Sequence, residues 1–315
     1  MGFGVDAPAL AVLRALGERG YDFVPVTPET HRRVIARPDM ALARDLRGVF
    51  GWSLPFDEAL LPGDLFALLR DAGFLASGPP GWRSKVRVSS VAGRLFLHSA
   101  YPTEAPDSVF LGPDSVRFAD FLRAELAAGT DVRRLVDIGA GAGVGGIVAA
   151  GLVRIGRIEL VDLNEAALSL ARINAAHAGI DVETYVSDGA ASVPPGFDLA
   201  IANPPFIMDE GGPVYRAGGG MRGAELSIDW ASDAAARLAP GGRMLLYTGT
   251  AIVAGRDWLR EALEARIPAL RCTLRYREID PDIFGEELEK PAYHQVERIA
   301  AVGAVIHKEP SAPLS

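Results

Sequence analysis

Cysteine is almost missing from this 315-residue chain, which has only Cys272. One thiol closes no intramolecular disulfide and builds no thiolate metal site, so disulfide scaffolds and zinc ribbons are excluded and a reducing compartment fits. Long apolar runs are missing too. The longest stretch without a charged residue, 138–153, is shorter than the roughly 20 residues of a membrane span and is broken up by glycine. The N-terminus has no basic region, opens on Asp6 and carries Arg14 inside its apolar stretch. Neither a secretory leader nor, with Asp at position six, a myristoyl anchor is expected, and the protein is expected to be cytoplasmic. Histidine is scarce, and His31, His98, His177, His294 and His307 share no metal-ligand spacing, so no metal is expected. Positive charge is in deficit: 32 Lys+Arg against 40 Asp+Glu leave a net charge of −8, which argues against a generic nucleic-acid binder.

With 49% hydrophobic and 23% charged residues the composition is that of a globular protein, and disorder is excluded. The length accommodates one large domain and a smaller one, each with its own core. Residues 1–110 hold 12 basic and 12 acidic side chains, so the remaining 20 basic and 28 acidic ones carry the whole deficit. Pro and Gly cluster at 77–81, marking a loop, and at 101–113, marking a linker. This places a boundary near 105–115 and predicts domains of 1–110 and 111–315.

The first part reads as short helices over 8–17, 28–37, 57–61 and 64–71, the last with Asp64 as its N-cap. A hairpin follows over 85–98, turning at Ala92-Gly93. Helices followed by a two-stranded hairpin resemble a winged-helix module. From residue 133 the pattern changes to short Val/Ile/Leu runs at 135–138, 158–161, 182–186, 199–202, 244–247, 273–277 and 299–305. Helical periodicity over 164–178, 224–238 and 257–265 lies between them. Such alternation predicts a mostly parallel sheet covered on both faces, closed by a terminal antiparallel pair.

The first of these strands runs into Asp137-Ile138-Gly139-Ala140-Gly141-Ala142-Gly143-Val144-Gly145-Gly146, with a helix starting close behind. Gly141-x-Gly143-x-x-Gly146 also satisfies the dinucleotide fingerprint, which leaves an NAD-dependent enzyme or a non-catalytic Rossmann module open. Asp137 separates the cofactors. A carboxylate there repels a pyrophosphate and attracts a sulfonium and its ammonium group, which favours S-adenosyl-L-methionine. Asp162 ends the second strand, placed to accept from two ribose hydroxyls, and Asn164 opens the next helix as an N-cap. Asp188 ends the third, placed to accept from an adenine amine. Leu163 and Gly189, beside these two acids, belong to the same candidate cofactor wall.

The fourth strand leads into Asn203-Pro204-Pro205-Phe206. Consecutive prolines force extended backbone and present carbonyls without N–H groups. An Asn amide oxygen beside such a carbonyl makes two acceptors facing one spot, suited to gripping an NH2 group, and Phe206 offers a face for a planar substrate. This is a grip for a weakly nucleophilic planar nitrogen, and no side-chain base is required.

On these motifs, over about residues 107–306, the chain resembles class I S-adenosylmethionine-dependent methyltransferases. It is most similar to the Asn-Pro-Pro-aromatic branch that methylates planar nitrogens: release-factor glutamine, ribosomal RNA guanine-amine and adenine-amine methyltransferases. The resemblance implies an α/β fold, a Rossmann-like seven-stranded class I methyltransferase sheet with its last strand antiparallel, beside the smaller N-terminal α+β domain. It implies sulfonium-side roles for Asp137, Gly139, Gly141 and Gly143, a ribose role for Asp162, an adenine role for Asp188, and target-nitrogen roles for Asn203 and Pro204. Gly112-Pro113-Asp114-Ser115 is similar to a stretch that caps the cofactor in several such enzymes, which adds Asp114. Two features depart from the glutamine enzymes: Phe206 stands where they have Tyr, and 278–297 matches none of their elements.

Residues 209–223 are so rich in glycine that they read as a cover ordering around substrate, with Tyr215, Arg216 and Arg222 as its side chains to test. Arg83, Lys85, Arg87 and Arg94, with no acid between Trp82 and His98, make the hairpin a basic wing, and Arg32, Arg33, Arg37, Arg44 and Arg47 lie nearby in sequence. A neutral reader domain with such a wing suits structured RNA. The expected acceptor is therefore an exocyclic amine of RNA, with a protein glutamine or small-molecule amide as the alternative.

Overall fold

The structure, a computed structural model, describes residues 6–208, 218 and 223–311; the loop residues Tyr215, Arg216 and Arg222 singled out above lie outside the described residues. Helices α1 (Ala7–Glu18), α2 (Pro28–Ile35), α3 (Leu46–Phe50) and α4 (Gly63–Asp71) come first. Two antiparallel hairpins follow, β1 (Leu75–Gly78) with β2 (Gly81–Ser84) and β3 (Val86–Val91) with β4 (Arg94–Ser99). The Asp6 carboxylate caps α1 by accepting from the Ala9 N–H at 3.0 Å, and Pro8 in the first turn has no N–H to leave unsatisfied. Ala9, Val12, Leu13 and Leu16 recur at helical spacing and are fully buried in a core with Phe23, Phe50, Phe56, Leu65, Leu69 and Leu97.

Local readings here needed three corrections. The Pro/Gly cluster at 77–81, expected as a loop, is the turn of the β1–β2 hairpin, whose two strands were not expected. Its second strand bridges to Phe56, whose N–H donates to the Trp82 carbonyl at 2.8 Å. Asp64 is not the cap of α4: Pro62 holds that position without a side-chain bond, and Asp64 instead pairs with Arg19 at 2.6 Å. Third, α3 has only five residues, too few to show a period.

The second half carries α5 (Pro113–Glu125), β5 (Asp131–Ile138), α6 (Val144–Ala150), β6 (Arg154–Asp162), α7 (Glu165–His177), β7 (Glu183–Val186), β8 (Phe197–Ala202), α8 (Glu225–Arg237), β9 (Leu238–Val253), β10 (Arg256–Asp257), α9 (Trp258–Arg266), β11 (Cys272–Asp280) and β12 (Arg298–Lys308). The sheet order is β11-β12-β9-β8-β5-β6-β7, with the short β10 on β9. β5, β6, β7, β8 and β9 pair in parallel, and β12 inserts antiparallel between β9 and β11, as expected from the sequence. Alternate residues of the buried strands point to opposite faces. Leu135, Leu160 and Leu199 pack under α5, α6 and α7, whereas Val136, Ile138 and Ala200 pack over α8 and α9. Asp137 shares Leu135's face, which puts a carboxylate beneath α6.

Asn174 of α7, only 1% exposed, clips the halves together. Its side-chain oxygen accepts from the Leu97 N–H at 2.8 Å, and its amide donates to the carbonyls of Leu97 and Ala142 at 3.0 and 2.9 Å. Hairpin β3–β4, α7 and the glycine loop thus share one buried polar group. Among the described residues no helix is long and apolar enough to cross a membrane.

Candidate active site

At the carboxyl ends of β5, β6 and β8 the chain opens into a cleft of about 930 Å³. This is where open α/β sheets bind ligands, because helix N-termini and turning loops converge there. Asp137, Gly139, Gly141, Asp162, Leu163, Asp188, Asn203, Pro204, Phe206 and Asp114 all line it. Two of the expected residues do not. Gly143 instead shapes the turn into α6, with φ +81°, and Gly189 lies against the Trp230 indole, 3.4 Å from where a Cβ would stand.

The glycine loop is held from both ends by carboxylates. Asp137 accepts from the Gly146 N–H at 2.7 Å. One oxygen of Asp162 accepts from Gly141 and the other from Asn164, both at 2.8 Å. Asn164 caps α7 through Ala166 as expected, and its amide also holds the linker at the Asp107 carbonyl. Burial pushes the Asp137 carboxyl up to about 7, helped by the neighbouring Asp162 charge and opposed by the Gly146 hydrogen bond. Among the described residues no cation is found with the groups that perturb Asp137, so a ligand bearing positive charge would meet there a buried acid with no counter-ion among those residues. Burial raises Asp162 as well. Asp114 in the first turn of α5 is buried and raised for the same reason, and it accepts from the Tyr247 hydroxyl at 2.8 Å.

Several wall residues were not found from the sequence. Trp230 of α8 lies where a Cβ on Gly139 would come within 2.7 Å of its ring, so only glycine fits there, and its indole N–H reaches Asp188 at 3.4 Å. Phe284, Glu286 and Glu287 come from the 278–297 segment, which continues β11 and then winds through short turns onto the Asn203–Phe206 side. There the Tyr293 hydroxyl accepts from the Met208 N–H at 2.8 Å, and Phe284 meets Phe206 edge-on at 5.8 Å. Phe206 also fills the space over Gly249, where a Cβ would fall 2.2 Å from its ring. Pro28, Glu29, Arg32 and Tyr101 bring the first half into the same wall. No local sequence pattern marks these residues, because each comes from a distant element.

The basic wing is not a continuous face. Arg87 is buried at 2% exposure, Arg83 lies on β2 and donates to the Ser53 carbonyl at 3.1 Å, and Arg94 packs against Gly151. Arg32 and Arg33 pair with Glu29, and Arg47 donates to the Asp22 carbonyl. Among the described lining residues nine are acidic and Arg32 alone is basic.

Residues 118–264 match the family model for the methyltransferase small domain. That match takes in a little under half of the 315 residues. It is 33% identical over 127 residues, 40% of its length, to the ribosomal RNA small subunit methyltransferase C of Hahella chejuensis, and this covers 34% of that protein. It is 28% identical over 168 residues, 49% of its length, to the release factor glutamine methyltransferase of Deinococcus radiodurans, covering 55% of it. The matches therefore span between a third and about half of these relatives' own lengths. Among solved structures, Trm5b from Pyrococcus abyssi superposes with a TM-score of 0.50 at 13% identity, covering 74% of this chain and 62% of that one, a likeness of fold. The matched segment holds the glycine loop, both strand-end acids and Asn203-Pro204-Pro205-Phe206.

Proposed function

We propose that this chain is an S-adenosyl-L-methionine-dependent N-methyltransferase acting on a planar amine or amide nitrogen, with an exocyclic amine of an RNA base as the acceptor. One observation carries the reading: Asp137, a buried acid with no counter-cation among the described residues, shares a cleft with the acceptor pair of Asn203 and Pro204. When bound, the cofactor supplies a methyl group on a positively charged sulfur. Asp137 would face its cationic end, Asp162 its ribose hydroxyls, and Asp188 with Trp230 its base. Gly139 and Gly141 let it approach the backbone.

On the acceptor side, the Asn203 side-chain oxygen and the Pro204 carbonyl accept from the NH2 group and draw its protons toward themselves, leaving the nitrogen richer in electron density along the third direction. Phe206 and Phe284 confine the plane of the acceptor. Acceleration comes from holding the two partners in line, with fixed acceptors stabilising the charge that develops on nitrogen. The acidic lining requires that only the base enter while the phosphates stay at the rim.

That same acidity favours a second reading, a protein glutamine amide, since a peptide brings no phosphates. Incubating the enzyme with methyl-tritiated cofactor and total cell extract decides between them. Label released by ribonuclease supports the RNA acceptor, label released by protease supports the amide, and label in neither fraction refutes both.

A further inference from the structure

Arg87 of β3 is 2% exposed, yet its Nε and Nη2 atoms have no hydrogen-bond partner among the described residues. Its register partner across the hairpin is His98, also fully buried. Its charge acts on both His98 and His31, each already held neutral mainly by burial. The Nε2 atoms of these histidines are engaged, His31 with the Trp52 carbonyl at 3.0 Å and His98 with the Ser89 hydroxyl at 2.8 Å, whereas both Nδ1 atoms are buried without a partner. Among the described residues no carboxylate perturbs Arg87. Only the Tyr21 hydroxyl opposes the effect of burial, and Tyr21 is itself held neutral, its hydroxyl donating to the Val88 carbonyl. The Phe23 ring lies 6.0 Å from the guanidinium carbon.

An arginine stays protonated, and burying its charge without a counter-ion costs several kcal/mol unless something anionic is supplied. The two unpartnered atoms are those of the side-on fork, Nε–H and one Nη–H pointing the same way, which matches two oxygens of one carboxylate or phosphate. The cluster also connects to the cleft. His31 stacks on Tyr101 with centroids 4.1 Å apart, and Tyr101 and Arg32 line the cleft wall.

We propose that Arg87, flanked by His31 and His98, is an oxyanion-binding site of the N-terminal half, taking a phosphate or carboxylate group on its Nε/Nη2 fork one residue layer behind the cleft wall. Neither the cofactor nor the acceptor nitrogen of the proposed reaction requires this site, so it stands or falls apart from that reading.

Thermal unfolding of the full chain tests it, at matched ionic strength, in sodium chloride alone and then with inorganic phosphate, acetate or a short RNA trinucleotide. A saturating rise in Tm of about 4 °C with at least one oxyanion is expected, because a ligand that binds only the folded state stabilises it. A response to inorganic phosphate identifies a free phosphate, a response to the trinucleotide alone a backbone phosphate, and a response to acetate alone a carboxylate. The Arg87→Met variant keeps the length and loses the charge. It is expected to be at least as stable as wild type in chloride and to lose the response. Arg87→Lys keeps the charge without the fork and is expected to weaken the oxyanion affinity at least tenfold, which serves should the Met variant not fold. No response to any of the three anions in wild type, or an undiminished response in Arg87→Lys or Arg87→Met, overturns the proposal.

Discussion

Replacing Asp137 by Asn should stabilise the ligand-free protein while destroying its cofactor site. The Asp137 carboxyl moves from 3.8 in the unfolded chain to about 7 in the fold, chiefly through burial. A raised acid favours the fold only while it is protonated. Its contribution is complete below pH 4 and is lost as pH rises toward and through 7. At ~1.4 kcal/mol per pH unit, full ionisation costs about 4 kcal/mol, of which about 2 kcal/mol is lost between pH 5.5 and 8.5. Asn keeps an oxygen to accept from Gly146 and has no charge to bury. Its stability advantage over wild type should therefore widen by about 2 kcal/mol, or about 3 °C in Tm for a chain of this length, between those pH values. Urea and thermal unfolding of both proteins without ligand measure this. A gap that is constant or shrinks with pH would refute the claim that Asp137 is a buried acid lacking its cation. Calorimetry completes the test. Wild-type affinity for S-adenosylmethionine should fall about tenfold per pH unit below 7, because the cation must displace a proton, and the variant should show no such dependence.

Asn203→Ala should abolish methyl transfer while leaving cofactor affinity within about tenfold, roughly 1.4 kcal/mol; a fully active variant would remove the proposed amine grip. Asp162→Ala should weaken cofactor binding more than tenfold, since it removes a hydroxyl acceptor and frees the N–H groups of Gly141 and Asn164 together, and calorimetry with S-adenosylhomocysteine reads this directly. Asn174→Ala should destabilise the whole chain by about 2–4 kcal/mol in urea unfolding, because it strands Leu97 and Ala142 backbone groups in a buried seam. A loss below 0.5 kcal/mol would show the seam to be wet.

The cofactor side of the cleft could be read from the sequence because each of its parts is local. A strand end, a run of glycines and an acid at the next strand end are neighbours in the chain, and their meeting at one end of the sheet follows from backbone geometry alone. Asn203-Pro204-Pro205-Phe206 could be read for the same reason. Trp230, Phe284, Glu286 and Tyr101 could not, since they reach the cleft from a helix, a late insertion and the first half, and no spacing encodes that meeting. Arg87 was misread as part of a basic wing because alternation in a hairpin says which residues share a face but not whether that face meets water.

The order of apolar runs and helical periods alone determined the parallel sheet, its antiparallel last strand and the position of the glycine loop, since those depend on short-range pattern and chain direction. Packing decided the rest: which carboxylate lost its solvent and which arginine was buried without a partner. It also decided which distant rings met beside Asn203 and Pro204. Desolvation and contact are properties of the space between elements, and they come into being only when the elements meet.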